Sequence, residues 1–171
     1  MNNKLQIKVY CLGPTIGFFS KNDVVHWADK QIEKLDSPPC ELIDLSLYPD
    51  TTINQTCADM QFSCSHEENE LPVKIILGLL NLKLVQTQDY EEILRCLRNL
   101  EERDIPAKEL ASVFNEADHI SEMRYLAKYE GYGNVSDCDK DITRLLFKFN
   151  DFANQNSKYF TLDDVKSDSS H

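Results

Sequence analysis

The sequence predicts an all-α protein with a single domain. Apolar residues recur at intervals of three and four over most of the chain, which is the spacing of one face of an α-helix. Proline and glycine residues separate these segments by short connections, and helices joined in this way pack as antiparallel neighbours. The chain has 171 residues, which is long enough for one hydrophobic core. We therefore expect about seven helices, arranged as a bundle or as a short stack of helical hairpins.

The N-terminal segment departs from this helical pattern. Apolar and polar side chains alternate over residues 4–12, which predicts a short strand that ends at Gly13. The first predicted helix begins at Ser20, whose hydroxyl can cap it, with Asp23 in the first turn. Trp27 on this helix is the only tryptophan and is either a core residue or an interface anchor. The core is favoured because large aromatic side chains are mostly buried.

Three helices are predicted in the middle of the chain. A short apolar helix lies between Pro39 and Pro49, and a weaker helix, rich in threonine and asparagine, covers residues 51–65. Residues 71–85 are nearly all apolar, which is typical of a central helix that is buried on every side. Gly78 in this helix can permit the close approach of a neighbouring helix.

The C-terminal half has the clearest helical periodicity. One helix opens near Asp89, a second starts at Pro106, and a turn at residues 131–134 separates it from the last one. Ser136 is expected to cap this last long helix, along which apolar residues recur as far as Phe152.

One helical domain is expected over residues 1–155, with a polar C-terminal tail over residues 156–171. No stretch approaches the roughly 18 apolar residues of a membrane-spanning helix. Glycine and proline interrupt the apolar run at residues 9–19 and no cleavage motif follows it, which argues against a signal peptide. The six cysteines include no C-x-x-C pair and are expected to be free thiols. We therefore expect a cytoplasmic protein.

Acidic residues dominate the charge of the chain. There are 29 aspartates and glutamates against 18 lysines and arginines, and the formal net charge is −11. Such a charge disfavours binding to nucleic acids and to anionic membranes. Residues 35–73 contain acids but neither lysine nor arginine, and residues 101–130 are acidic as well. A field of one sign steers a partner of the opposite sign, whereas the simpler interpretation is a solvated surface that maintains solubility.

Motifs for metal binding and catalysis are weak. The acids of Asp137–Asp141 begin like a calcium loop, but Ile142 and Lys148 stand where that loop needs glycine and glutamate. The spacing of cysteines and histidine over residues 57–66 matches no standard zinc site. The chain has no phosphate-binding loop and no nucleophile motif. We therefore expect no metal, no cofactor and no catalytic residues.

Three short motifs carry a resemblance to a known family. They are Ile16-Gly17-Phe18, Val25-x-Trp27-Ala28-Asp29 and Leu42-Ile43-Asp44-Leu45-Ser46. Over residues 12–150 the chain resembles a small bacterial all-helical domain family of unknown function, which implies a helical fold and no catalytic residues. Small acidic proteins of this type are also similar, in size, charge and helical architecture, to the immunity proteins of bacterial contact-dependent toxin systems.

These observations favour an immunity protein that binds a cognate toxin domain, with a basic nuclease as the expected partner. The acidic surface would occlude the active site of the toxin, and charge complementarity would speed the encounter. The residues expected to bind the partner are Asp36, Glu41, Asp44, Asp50, Asp59, Glu67, Glu68, Glu70, Glu101, Glu102 and Asp104. The alternatives are a helical adaptor that binds another protein and an enzyme of unrecognised type. The sequence leaves the oligomeric state open.

Overall fold

A computed structural model of the protein describes residues 3–47, 66–102 and 110–160. All regular secondary structure in these residues is helical, which confirms the predicted all-α class. The eight α-helices among them are α1 (Asn3–Ile16), α2 (Lys21–Ile32), α3 (Cys40–Ser46), α4 (His66–Thr87), α5 (Tyr90–Glu101), α6 (Ala111–Tyr125), α7 (Val135–Phe147) and α8 (Asn150–Asn156). A π-helical turn (Leu126–Glu130) follows α6, and a 3₁₀ turn (Ser157–Tyr159) follows α8. The predicted helix over residues 51–65 and the predicted start at Pro106 lie outside the described residues.

The N-terminal segment is a helix, so the strand predicted over residues 4–12 was wrong. The alternation there is incomplete, because residues 9–12 are all buried, and a helix enclosed on most sides accommodates such a run. Pro14 does not break α1, since it lies in the last turn. The helix ends instead at Ile16. Gly17 follows it with a φ of +78°, and the Phe18 amide donates to the Gly13 carbonyl over 2.9 Å.

The start of α2 confirms the predicted cap. The backbone amide of Asp23 donates to Ser20 Oγ over 3.2 Å, and the Ser20 amide donates to Asp23 Oδ2 over 2.7 Å. This reciprocal capping box satisfies two backbone donors at the exposed end of the helix.

Helix α4 is the centre of the core, as its apolar sequence predicts. It packs against α1, α5, α7 and α8, and its leucines and isoleucines between Ile75 and Leu80 are fully enclosed. Gly78 lies where α8 crosses α4: a Cβ there would stand 2.6 Å from the Phe149 carbonyl oxygen and 2.9 Å from the Ala153 amide nitrogen. The predicted close approach at this glycine is therefore confirmed.

The predicted last long helix is two helices. α7 ends at Phe147 and α8 begins at Asn150, with Phe149 buried between them. After this interruption, α8 packs on α4 at Gly78. The cap of α7 also differs from the prediction, because Asn134 Oδ1, rather than the Ser136 hydroxyl, accepts a hydrogen bond from the first turn.

An aromatic cluster joins the two ends of the described chain. The Tyr10 ring stacks on Trp27, with centroids 4.1 Å apart, and on Phe19, at 4.9 Å. The Phe160 ring lies 5.3 Å from the Tyr10 ring. Trp27 is therefore a core residue, as the sequence favoured. Helical structure continues past residue 155 as far as Tyr159, and residues 161–171 of the predicted tail lie outside the described residues.

Candidate functional site

The predicted partner-binding acids fall into three groups. The structure describes the side chains of Asp36, Glu41, Asp44, Glu70, Glu101 and Glu102. Asp50, Asp59 and Asp104 lie outside the described residues, as do the side chains of Glu67 and Glu68.

Three acids of the first acidic segment share the α2–α3 region. Glu41 and Asp44 are exposed on α3, three positions apart and therefore on neighbouring parts of one helical face. Asp36 is exposed in the connection between α2 and α3. Glu70 differs from them, because its carboxylate receives a hydrogen bond from Lys74 Nζ over 3.1 Å within α4. The structure therefore brings Glu41 and Asp44 together and places Glu70 in an intrahelical ion pair.

The second acidic segment contributes to a shallow cleft between α5 and α6. Glu101 and Asp118 line this cleft, and Leu94, Leu97 and Phe114 are among its apolar lining residues. Its volume is about 10 Å³, close to the space that a single water molecule needs. The cleft is thus a groove in a surface and not a chamber for a small molecule. Glu102 is exposed just beyond the end of α5.

A continuous exposed stripe extends from this cleft along α6. It consists of Asp118, Glu122 and Tyr125 on α6 and of Tyr129 in the π-turn, and Tyr132 follows in the connection after Gly131; we call these five residues the α6 face. Positions 118, 122 and 125 are spaced by four and three, so their side chains share one side of α6, and the Tyr129 ring lies 4.9 Å from the Tyr125 ring. The tyrosine side chains are 58%, 63% and 69% exposed.

The two carboxylates of the α6 face differ from that of Glu116 on the same helix. Within the part of the chain that the structure describes, Asp118 and Glu122 make no ion pair, whereas Glu116 pairs with Lys148 over 3.0 Å. The face therefore combines free carboxylates with large, accessible aromatic rings.

An ion-pair network holds the α6 face in place. Arg124, whose side chain is only 12% exposed, donates from Nε to Asp139 Oδ1 over 2.7 Å and also donates to Glu91. Lys128 Nζ donates to the same Glu91 carboxylate over 2.8 Å. These bonds connect α6 and the π-turn to α5 and α7. The hydrogen bonds from Lys128 and Arg124 hold the pKa of Glu91 below its usual value.

The acids of Asp137–Asp141 serve ion pairs. Asp139 receives Arg124, as described above, and Asp137 and Asp141 pair with Lys140 and Arg144. Among the residues described, no group of three or more histidine, cysteine, aspartate or glutamate side chains is placed to hold a metal ion.

Sequence reasoning did not single out the tyrosines of the α6 face. The signal was present, because Tyr125, Tyr129 and Tyr132 follow two acids at helical spacing. A tyrosine stripe with polar neighbours is as compatible with a partly buried face as with an exposed one, and only the packing of α6 against α5 and α7 decides between them.

Comparisons with known proteins identify no relative. No protein-family model, curated protein or solved structure matches the chain. The resemblance carried by the three sequence motifs therefore stays a prediction. In the described part of the chain, none of the helices combines the length and hydropathy needed to cross a bilayer.

Proposed function

We propose that the protein is an immunity-type inhibitor that binds a basic bacterial toxin domain, most simply a nuclease, and covers its active site. It acts in the cytoplasm by occlusion and not by catalysis. The observation that carries this proposal is the α6 face, where two carboxylates that make no ion pair with any described residue adjoin exposed tyrosines.

Charge supports the choice of a basic partner. A nuclease holds its phosphate substrate with lysine and arginine side chains, and a surface of net charge −11 attracts the same side chains. Asp118 and Glu122 make no ion pair within the described residues. Their carboxylates therefore need not give up an internal partner when an external cation binds.

The tyrosines support a protein partner in particular. Tyrosine is enriched at the centres of protein interfaces, where its ring gives a large contact area at a low cost in side-chain entropy. Charge alone accelerates encounter, whereas slow dissociation needs such a packed centre. The α6 face contains both components.

A helical adaptor is the second candidate, and the cleft between α5 and α6 favours it. Leu94, Leu97 and Phe114 are among the residues that line this groove, and the apolar side chains of a helical peptide could pack across them at its surface. Binding of that kind depends weakly on salt, because it buries few charges.

The first experiment uses tagged full-length protein to capture partners from a lysate of its own organism at low and at high salt. A captured basic protein is purified and assayed for nuclease activity with and without added inhibitor. The reversal Asp118→Lys/Glu122→Lys is compared with Glu33→Lys/Asp151→Lys, which makes the same charge change at two exposed positions elsewhere.

We expect inhibition of the captured nuclease, with affinity lowered about tenfold or more by reversal on the α6 face, equivalent to about 1.4 kcal/mol. The control pair should change affinity less. Reversal at Glu41 and Asp44 tests the α3 surface in the same assay. The result would contradict the inhibitor and favour the adaptor if a partner were retained equally at all salt concentrations and its activity were unaffected by the added protein.

A further inference from the structure

We infer that Tyr125 and Tyr129 form a docking point for arginine side chains of the basic partner. The inference rests on the proposed function and adds to it the chemistry that the partner must present at this position. It makes arginine, rather than positive charge in general, the residue that the α6 face selects.

The two rings form an accessible aromatic pair. Their centroids are 4.9 Å apart and their planes are inclined at 45°. Both side chains are more than half exposed, and this exposure is unusual for neighbouring rings in a domain that buries an aromatic cluster elsewhere. A planar guanidinium can stack on such rings and gain both dispersion and cation–π attraction.

A carboxylate stands beside the rings. Glu122 is three positions before Tyr125 on the same helix, so the two side chains are neighbours on its surface. A guanidinium that stacks on Tyr125 can direct its N–H groups at this carboxylate, which accepts two parallel hydrogen bonds from arginine. An ammonium group has no plane to stack and no fork to match the carboxylate, so lysine gains less.

A cation of the protein itself already lies near one of the rings. Lys128 Nζ lies 5.2 Å from the centroid of the Tyr129 ring while it donates to Glu91. Because Glu91 holds this lysine from the side of α5, the ammonium group is part of the framework.

The test uses peptides of known composition as probes. Full-length ¹⁵N-labelled protein is titrated with oligoarginine and with oligolysine of equal length, at a salt concentration that screens long-range attraction. Amide shifts locate the binding surface and give the two affinities. The variants are Tyr125→Ala/Tyr129→Ala, the conservative pair Tyr125→Phe/Tyr129→Phe, and Phe147→Ala, which removes an aromatic side chain that is 65% exposed on α7.

We expect oligoarginine to bind about fivefold more tightly than oligolysine, with shifts centred on residues 122–132. The alanine pair should abolish this preference, while the phenylalanine pair and Phe147→Ala should retain it. Unchanged amide spectra away from the substitutions show that each variant is folded.

Equal affinity for the two peptides, or a preference that survives in the alanine pair, would overturn the inference. Shifts centred on Glu41 and Asp44 would overturn it as well. None of these outcomes removes the proposed function, because a nuclease can be captured and inhibited through carboxylates alone. If arginine selectivity is found but no basic enzyme is inhibited, the docking point stands and the proposed function fails.

Discussion

Replacing Gly78 by alanine tests the packing of the core most directly. A Cβ at this position would stand 2.6 Å from the carbonyl oxygen of Phe149, 2.9 Å from the amide nitrogen of Ala153 and 3.0 Å from the Ala153 Cβ. Two of these atoms belong to the backbone of α8 and its preceding turn. They cannot rotate away as a flexible side chain would, so α8 must move relative to α4.

Two opposing contributions determine the magnitude. Overpacking a core by a methyl group costs about 1–3 kcal/mol, and contacts below 3 Å with backbone atoms place this site towards the upper end. Alanine is favoured over glycine inside a helix by about 1 kcal/mol. We therefore expect Gly78→Ala to lower the free energy of unfolding by about 1–2 kcal/mol, which corresponds to a fall in Tm of about 2–8 °C for a protein of this size.

Urea and thermal unfolding followed by circular dichroism measure this effect. Asn115→Ala, at an exposed position of α6, provides the control for helix propensity and should leave stability unchanged or slightly raised. A Gly78→Ala variant at least as stable as the wild type would refute the close approach of α8 to α4.

Three further predictions concern caps, charge and thiols. Ser20→Ala should lower stability by about 1 kcal/mol in urea unfolding, because it removes the side-chain acceptor of the capping box. Glu91→Gln should cost less than about 1 kcal/mol because Glu91 is exposed. The hydrogen bonds that Glu91 receives, chiefly from Lys128, lower its pKa in the folded protein below the ordinary value of 4.5. The free energies of unfolding of wild type and variant should therefore differ above pH 4.5 and converge as the pH falls through the folded pKa. Burial raises the pKa of the Cys96 thiol to about 11, whereas Cys40 is exposed. Alkylation of the native protein, followed by mass spectrometry, should therefore modify Cys40 much faster than Cys96. Equal rates would contradict the burial of Cys96.

Elements with a complete pattern could be predicted from the sequence. The cap at Ser20 follows from its hydroxyl and the nearby Asp23, and the buried helix around Gly78 follows from its run of apolar residues. In both cases the tertiary packing agrees with the local sequence. The N-terminal segment was mispredicted because an alternation this short cannot exclude a helix that is enclosed on most sides, in which Gln6 is buried as well as Ile7. Only the enclosure of residues 6–12 by neighbours decides the case. The interruption between α7 and α8 at Phe149 also depends on tertiary packing, since no proline or glycine in the sequence marks it.

The candidate site was predictable in charge but not in shape. Counting acids identified residues 101–130 as one of two acidic segments, and the α6 face lies within that segment except for Tyr132. The count could not show that Glu70 pairs with Lys74, or that Glu116 pairs with Lys148. The Glu70–Lys74 pair spans four positions of one helix, so helical spacing alone could have suggested it. The pair between Glu116 and Lys148 joins α6 to the end of α7, and finding it requires knowing which helices are neighbours.

Packing explains why a binding surface would lie on α6 and not elsewhere on the main helices. Between Val73 and Leu84, helix α4 packs against four helices and has little exposed surface. Helix α6 makes its main helical contacts with α5 and α7, which cover the side that carries Val113, Ala117 and Ile120. The tyrosines on the opposite side do not stabilise the core, because exposed aromatic rings remove little apolar surface from water. Their presence there, beside carboxylates that make no ion pair with the described residues, is what the proposed binding function would account for.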